Sequence, residues 1–511
     1  MSSATQPVLV VARLAPTEMS VTATATAPGS LRRSVLRGLA WKAGTQAVGQ
    51  VTRIIVAVVV ARLLTPHDYG VAGMVLVFSS LVFVFSDLSL GAALVQRKTI
   101  SENDRSTVFW TSLAAGTIFT AAGFALAGPI AQFYGEPAVR PLFMALSCGF
   151  IISSISTTQS ALLTREMNFK ALELRQMGGI VVGAVVGITL AARGAGAWAI
   201  ISQQLSTIVV STVCLWWFSS WRPTFAFSTA SLRELGGFSA NVFGTRLLFY
   251  VNRNLDNLLV GRFIGAAALG AYSLAYSVML VPFNQIAGPI QEVLYPAFSR
   301  MQDDRKRMAA VWIDVNRVVA ALSLPALVGL MIVAPEFVDV VLGPKWHSAI
   351  RVIQILAWVG LLQSIQRLNS SILQARDRTH DLFVYSMVTL VGSVAAFAGG
   401  LNWGIIGVAT AYAVLSTLLE PYYTWLTARS LEVSMFDFFR GLAGVAQATF
   451  AMAAVLVPAR RLLIDTGSGA SLTLTALILL GCAVYAPTVL WRTPELRLAL
   501  SSIRRRRALP E

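Results

Sequence analysis

Two stretches of this chain repeat one pattern: GTQAVGQVTRIIVAVVVARLLTPHDYG at residues 44–70 and GTRLLFYVNRNLDNLLVGRFIGAAALG at residues 244–270. Both are largely apolar, and both place an arginine at the same point, Arg53 in the first and Arg253 in the second. An arginine at the depth of a bilayer costs at least ~2.5–3.5 kcal/mol unless it faces water or a polar partner. The matched pair therefore predicts a two-lobed membrane protein with a polar cavity between its lobes.

The composition is typical of a membrane protein. The 511 residues are 56% hydrophobic and only 13% charged. A helix needs about 20 apolar residues to cross a ~30 Å hydrocarbon core. We therefore expect an all-α integral membrane protein with about fourteen transmembrane helices. The predicted spans lie near residues 42–64, 70–95, 108–132, 140–163, 176–193, 196–218, 238–261, 269–295, 313–334, 350–374, 382–400, 404–427, 441–459 and 470–491.

The net charge of +16 is distributed as in a membrane protein and not as in a nucleic-acid-binding protein. Alternating the spans from a cytoplasmic start places 26 Lys and Arg residues on the cytoplasmic side and eight on the opposite side. Such an excess of positive charge is the known signal for cytoplasmic loops. Both termini are therefore predicted to be cytoplasmic, the number of crossings to be even, and nucleic acid is not an expected partner.

The repeat continues beyond the opening helix. The stretch from Arg140 to Arg165 recurs from Arg351 to Arg376, with the same small and polar residues in the same order. This predicts two parallel six-helix bundles followed by two extra helices, an arrangement that places substrate sites at the interface between the repeats. The predicted segments are a disordered cytoplasmic tail at 1–34, an N-terminal lobe at 35–220, a C-terminal lobe at 221–430, two transmembrane helices at 431–492 and a basic cytoplasmic tail at 493–511.

Polar residues lie on one face of the first helix and recur on the seventh. On the first helix they are spaced to fall within a narrow arc: Lys42, Gln46, Gln50 and Arg53. The seventh helix carries Arg246, Asn252, Arg253 and Asp256. Together they predict a cationic stripe that lines the cavity and suits phosphate or an acidic sugar. The alternative is that Arg253 pairs with Asp256 and pins the helices together.

Three further features have open interpretations. The tenth helix ends in an amide-rich run with Arg367 and Asn369, and amides either bind sugar hydroxyls or join helices. The carboxylates at depth are Asp87, Asp256, Glu292 and Glu420. Each could bind a coupling proton or sodium ion, but Asp87 and Glu420 lie towards predicted helix ends, which favours a structural role for them and leaves Asp256 and Glu292 as the candidates. Three prolines spaced seven residues apart on the eighth helix either shape its packing or form a hinge: Pro282, Pro289 and Pro296.

Signatures of enzymes are missing from the sequence. The three histidines are scattered over loops, the three cysteines lie apart in apolar stretches, and no glycine-rich phosphate loop occurs. We therefore expect no catalytic residues, metal or cofactor. A membrane polymerase or ligase acting on a lipid-linked glycan is a competing hypothesis, but such enzymes are expected to carry a large external loop, and the 335–349 loop is short.

Several motifs resemble one family of membrane transporters. They include Ala61-Arg62-Leu63-Leu64-Thr65-Pro66, Asp87-Leu88-Ser89-Leu90-Gly91, Gly194-Ala195-Gly196-Ala197-Trp198 and Tyr295-Pro296-Ala297-Phe298-Ser299-Arg300. The chain from about residue 35 to 430 resembles the polysaccharide transporter family, the Wzx-type flippases of colanic-acid and exopolysaccharide exporter type. That family is part of the multidrug/oligosaccharidyl-lipid/polysaccharide flippase superfamily. One departure is Ser89, which stands where the family usually has glycine.

The resemblance implies a function. It predicts a flippase of the bacterial inner membrane that moves an undecaprenyl-pyrophosphate-linked oligosaccharide to the periplasmic leaflet for surface polysaccharide synthesis. Membrane lipids, and a polymerase and glycosyltransferases of the same pathway, are the expected partners. An ion-coupled drug exporter or a lipid II flippase of the same fold is the alternative within the transporter class. A drug-cation exporter would be expected to have carboxylates dominating its cavity, whereas here arginines do.

Overall fold

The computed structural model describes residues 48–86, 90–97, 99–229, 250, 253–282, 291, 294, 297–495 and 497. Over these ranges the chain is helical and contains no strand. It divides into two compact units, the first ending at Ser273 and the second beginning at Leu274. The predicted tail at 1–34 and most of the tail at 493–511 lie outside the described residues.

The first unit contains nine described helices and the start of a tenth. They are α1 (48–63), α2 (Pro66–Ser86), α3 (Leu90–Gln96), α4 (Glu102–Tyr134), α5 (Val139–Ser154), α6 (Thr157–Arg165), α7 (Phe169–Ala192), α8 (Trp198–Phe218), α9 (253–263) and α10 (Ala266–Pro282), which crosses the boundary. Local chemistry sets the ends of these helices. At the start of α4, for example, the Ser101 hydroxyl accepts from the Asp104 N–H at 3.1 Å, and the Asp104 carboxylate accepts from the Ser101 N–H at 2.9 Å.

The second unit continues with seven α-helices, of which α13 is short. They are α11 (Arg305–Phe337), α12 (Ile350–Gln366), α13 (Asn369–Ala375), α14 (Thr379–Gly400), α15 (Gly404–Ser430), α16 (Met435–Asp465) and α17 (Ala470–Arg492). A π-helical turn and a 3₁₀ turn, Val338–Leu342 and Pro344–Ala349, connect α11 to α12. The predicted external loop at 335–349 is therefore short and ordered.

The described residues contain eight helical stretches that are long and apolar enough to cross a bilayer, or nine when the bent pair α5–α6 is included. One of the eight, Thr379–Ser430, contains both α14 and α15, which match the predicted spans 382–400 and 404–427. The predicted spans 238–261 and 269–295 extend into residues outside the description. The protein is thus a multi-pass all-helical membrane protein, and the number of fourteen crossings stays a prediction.

The same local structures recur 210 residues apart. Non-glycine residues with positive φ follow α6 at Met167 (φ 54°) and α13 at Asp377 (φ 56°). Glycines with positive φ precede α8 at Gly194 (φ 75°) and open α15 at Gly404 (φ 66°). Left-handed backbone of this kind is uncommon outside glycine, so two coincidences at one spacing are strong support for the predicted internal repeat.

Two arginines of the predicted repeat have the same structural role. Arg165 donates to the carbonyl oxygens of Leu94 and Arg97, at the C-terminal end of α3. Arg376 donates to the carbonyl oxygen of Gln302, just after the short helix at 297–300. A cation at a helix C-terminus satisfies carbonyl groups that have no partner within the helix. These two arginines therefore close helix ends and are not free to bind a substrate.

The two C-terminal helices pack within the second unit. Trp312 of α11 stacks on Phe438 of α16 with ring centroids 4.4 Å apart. Arg317 donates to the Gly441 carbonyl oxygen at 2.8 Å, and Arg460 donates to the Glu336 carboxylate at 2.8 Å. In each contact the two residues are 124 positions apart in the sequence. The second contact lies nineteen residues after the first on both helices, a distance of roughly 28 Å along the axis at 1.5 Å per residue. α11 and α16 therefore run parallel and in constant register.

Candidate functional site

The first predicted site residue, Arg53, lies on α1 with its side chain exposed. Its Nη1 is 3.4 Å from Oε1 of Gln50, one helical turn earlier. Another face of α1 is buried, where Val56, Val60 and Leu64 form a cluster with alanines of α7 and α8. Packing on that face fixes the orientation of α1, so the guanidinium of Arg53 points away from the core of the first unit.

Arg253 occupies the corresponding place on α9. It is exposed, and among the described residues its side chain forms no hydrogen bond or ion pair. The burial pattern also matches that of α1, because Val60 and Val260 are both buried while Arg62 and Arg262 are both exposed. α1 and α9 therefore resemble each other in which positions are buried and exposed as well as in sequence.

Asp256 is buried and bonded within the protein. It is 3% exposed, its Oδ2 accepts from the Tyr272 hydroxyl at 2.9 Å, and its Oδ1 accepts from the Asn257 N–H at 2.8 Å. Arg253 lies close enough to interact electrostatically with this carboxylate, but among the described residues no hydrogen bond or ion pair joins the two. The carboxylate instead ties α9 to α10, and it does so beneath the exposed Arg253.

This polar link is specific to the second copy of the repeat. Besides Asp256 and Tyr272, Ser273 donates to Oδ1 of Asn257 at 3.1 Å. The residues 200 positions earlier are Val56, Ala57, Ala72 and Gly73, none of which has a polar side chain. The two copies thus share a backbone pattern but differ in chemistry at the junction of these helices.

α2 and α10 cross without side chains between them. A Cβ added to Gly70 would lie 1.7 Å from the carbonyl oxygen of Ala266, and one added to Gly270 would lie 1.9 Å from that of Pro66. Ala266 and Gly270 stand 200 residues after Pro66 and Gly70. The contact is therefore reciprocal, as across a two-fold axis, and only glycine permits it.

The predicted site residues of the second unit are less exposed. Asn369 is fully buried, accepts from the Trp312 indole at 3.0 Å and donates to Gln366. Gln366 in turn donates to Thr424 of α15. Arg367, between α12 and α13, is half-buried. In this conformation the amides of Gln366 and Asn369 join helices, which favours the structural one of the two interpretations, and Arg367 keeps partial exposure.

The remaining predicted residues lie outside the described residues: Lys42, Gln46, Arg246, Asn252 and Glu292. Of the rest, the structure leaves Arg53 and Arg253 exposed in the first unit and turns Asp256 and Asn369 inward. Tyr272 was not among the partners predicted for Asp256 from the sequence. A comparison of the two copies of the repeat could have predicted this pair. Val56 and Ala72 of the first copy are both replaced by polar residues in the second, Asp256 and Tyr272.

Several curated proteins are similar to this chain over most of its length. The chain is 30% identical over 399 residues to the lipopolysaccharide biosynthesis protein WzxC of Escherichia coli strain K12, which covers 77% of this chain and 81% of that protein. It is 26% identical over 418 residues to the teichuronic acid biosynthesis protein TuaB of Bacillus subtilis strain 168, covering 81% and 86%. It is 24% identical over 463 residues to the succinoglycan biosynthesis transport protein ExoT of Rhizobium meliloti strain 1021, covering 90% and 93%.

Solved structures give the fold. The lipid II flippase MurJ in an inward closed conformation superposes with a TM-score of 0.71 at 15% identity, covering 87% of this chain and 97% of that one. An inward-facing multidrug transporter of the MATE family superposes with a TM-score of 0.61 at 14% identity, covering 76% and 96%. At these identities the likeness concerns the fold alone. The family model for polysaccharide biosynthesis proteins matches residues 59–351, and with this match and the identity to WzxC the chain belongs to that family.

Proposed function

We propose that this protein is a flippase that moves an undecaprenyl-pyrophosphate-linked oligosaccharide from the cytoplasmic to the periplasmic leaflet of a bacterial inner membrane. The relatives are named for lipopolysaccharide, teichuronic acid and succinoglycan biosynthesis, and ExoT is named as a transport protein. A lipid-linked glycan is the common chemistry of such pathways. The MurJ and MATE structures supply a fold suited to alternating access.

The observation that carries the proposal is the exposure of Arg53 and Arg253 on apolar helices. Neither guanidinium can face hydrocarbon without a penalty of at least ~2.5–3.5 kcal/mol, so a flippase of this fold would direct both towards its water-filled cavity. A pyrophosphate supplies the acceptors that a guanidinium bonds most strongly, through charge-assisted and often bidentate hydrogen bonds. The headgroup would bind to the arginines while the polyprenyl chain stays in the bilayer.

The finer architecture belongs to the same proposal. It comprises fourteen crossings, two six-helix lobes, two C-terminal helices and cytoplasmic termini. The recurrence of backbone geometry at a spacing of 210 residues supports the lobes, and the parallel register of α11 and α16 supports their directions. With this topology the Gly70–Gly270 crossing lies at the periplasmic end and closes that end. Asp256 and Glu292 are kept as candidates for ion coupling, and Gln50 and Arg367 as contacts for the glycan. Asn369, which is buried among helices in this conformation, would contact the glycan only in another one.

The test is reconstitution of the purified full chain into liposomes that contain a fluorescent lipid-linked oligosaccharide. We expect the protein to flip this lipid without nucleotide, as measured by the fraction that becomes accessible to a membrane-impermeant quencher. A MATE-type drug cation and lipid II serve as competing substrates. Transport of the drug cation or of lipid II in place of the oligosaccharide would replace the proposal with one of these alternatives.

A further inference from the structure

One carboxyl group in the second unit is buried and takes part in no interaction that would stabilise its charge. Glu420, on α15, is 8% exposed. Its Oε2 has no hydrogen-bond partner, and no ion pair among the described residues includes it. It lies ten residues before the end of the helix at Ser430, which is roughly 15 Å along the axis. The helix continues for almost three turns beyond Glu420, so the group lies inside the helix and not, as the sequence had suggested, towards its end.

Two tyrosines face this carboxyl group. Tyr385 of α14 and Tyr423 of α15 lie beside it, and their rings stack with centroids 4.0 Å apart and planes 8° apart. α12 and α13, which also pack on α15, contribute neutral groups here: Gln366 of α12 donates to Thr424, and Ser370 of α13 lies beside Tyr423. α16 packs on α15 as well, and among the described residues none of its charged side chains pairs with Glu420. The titratable groups facing Glu420 are thus phenols, and neither can neutralise a carboxylate.

The helix pair does not need a carboxyl group in order to form. α7 and α8 form the corresponding pair in the first unit, and the residues 210 positions before Tyr385, Glu420 and Tyr423 are Arg175, Val210 and Val213. α8 is a complete helix with a valine at the equivalent position. Glu420 is therefore not explained by the packing of the pair.

Burying an isolated carboxylate is so unfavourable that such a group takes up a proton instead. A neutral carboxylic acid between two phenol rings costs far less, because it carries no net charge. We propose that Glu420 holds a proton in this state and is the proton-carrying group of the transport cycle. Release breaks the carboxyl O–H bond, leaves the electron pair on the carboxylate oxygen and passes the proton to water.

Proton loss has a conformational consequence. The carboxylate that remains must be hydrated, so it favours a state in which water reaches Glu420 between α14 and α15. Protonation favours the packed state described here. A proton gradient can drive transport through such a group because the two states differ in their affinity for the proton. This step rests on the proposed function, whereas the protonation itself does not.

The first experiment measures protonation directly. Infrared spectra of the purified full chain in lipid at neutral pH should contain the carbonyl stretching band of a protonated carboxyl group. Glu420→Gln should lose that intensity, and the matched control Asp465→Asn, at the exposed end of α16, should retain it. If the spectra of wild type and Glu420→Gln coincide in this region, Glu420 is ionised and the inference is wrong.

The second experiment measures coupling in liposomes that contain a lipid-linked oligosaccharide. A pH gradient should change the rate of flipping by the wild type, and this response should be lost in Glu420→Gln and in Glu420→Val. The valine variant copies the residue at position 210, so we expect it to fold. An unchanged response in both variants would overturn the coupling role. If the wild type flips no oligosaccharide, the proposed function fails, and the infrared result still decides whether Glu420 is protonated.

Discussion

At the scale of single residues, variants of Arg53 and Arg253 test whether these arginines bind the substrate or stabilise the structure. Replacing either by alanine removes a charge from an exposed position and little packing, so we expect normal protein levels. Charge-assisted hydrogen bonds contribute ~1.5–3 kcal/mol, so flipping should fall by roughly tenfold or more, since 1.4 kcal/mol is a factor of ten. Lysine should restore part of the activity, because it keeps the charge but loses the planar fork.

The control for this prediction is Arg461→Ala, which removes an exposed arginine near the end of α16. It should flip substrate at the wild-type rate, as followed by the same liposome assay. Normal flipping by both Arg53→Ala and Arg253→Ala would mean that these arginines do not contact the substrate.

The environment of a single residue could be predicted where its partners lie within a turn or two of the same helix, and not where they come from another helix. That Gln50 and Arg53 share one helix face follows from helical spacing alone, and in the structure the exposed Arg53 lies beside the half-buried Gln50. The environment of Asp256 did not follow, because spacing offered Arg253 one turn away, while the observed partner, Tyr272, is brought near by the packing of α10 on α9. Asn369 shows the same limit, since its amide is bonded to Trp312, 57 residues earlier in the chain.

At the scale of helices, the crossing of α2 and α10 makes a sharp prediction. Gly70→Ala and Gly270→Ala each place a methyl group where a carbonyl oxygen now lies. Overpacking of this kind costs about 1–3 kcal/mol, so each variant should unfold at a lower temperature in detergent and should populate the packed state less. The measurement is thermal unfolding followed by circular dichroism.

Gly128→Ala is the matched control for these glycine variants. Gly128 lies inside α4, and an added Cβ would have no heavy atom within 4 Å. Alanine is favoured over glycine in a helix by ~0.8–1.0 kcal/mol, so this variant should be as stable as the wild type or more so. Equal stability of Gly70→Ala and Gly128→Ala would contradict the close crossing.

Helix positions were predictable because apolar runs of membrane length are long signals, and the observed α7, α8, α14 and α15 each overlap a predicted span closely. Interruptions within a span were not predicted. The predicted span 140–163 is two helices, α5 and α6, bent by 42°. The bend contains no proline or glycine but lies in a polar run, Ser153 to Ser160. There the hydroxyls of Ser154 and Ser156 donate to the carbonyl oxygens of Ile151 and Ser153, and side chains of this kind compete with the helical hydrogen bonds of the backbone.

At the scale of the whole molecule, the topology can be tested through its two ends and one loop. We predict fourteen crossings with cytoplasmic termini, because basic residues are concentrated on one side. A reporter fused after Glu511 should be active only in the cytoplasm, and one inserted at the exposed Lys345 only in the periplasm. Reporters that place both positions on one side would rule out this topology and the periplasmic location of the Gly70–Gly270 crossing.

The last prediction concerns movement. If flipping requires the two copies of the repeat to separate at the end where α2 and α10 cross, then holding that end together should stop transport. Leu63 and Phe263, at the ends of α1 and α9, are 42% and 64% exposed, so cysteines there are accessible to a reagent. They are placed in a background that lacks Cys148, Cys214 and Cys482, and joined by a reducible thiol crosslinker.

We expect the crosslinked protein to bind lipid-linked oligosaccharide but not to flip it, and reduction of the crosslink to restore flipping. The single-cysteine variants, treated with the same reagent, should flip at the untreated rate and so separate crosslinking from modification. No nucleotide should be required in any sample, because the sequence has no phosphate-binding loop. Flipping by the crosslinked protein would mean that this end need not open, and the reciprocal glycine contact would then be a fixed joint about which the rest of the protein moves.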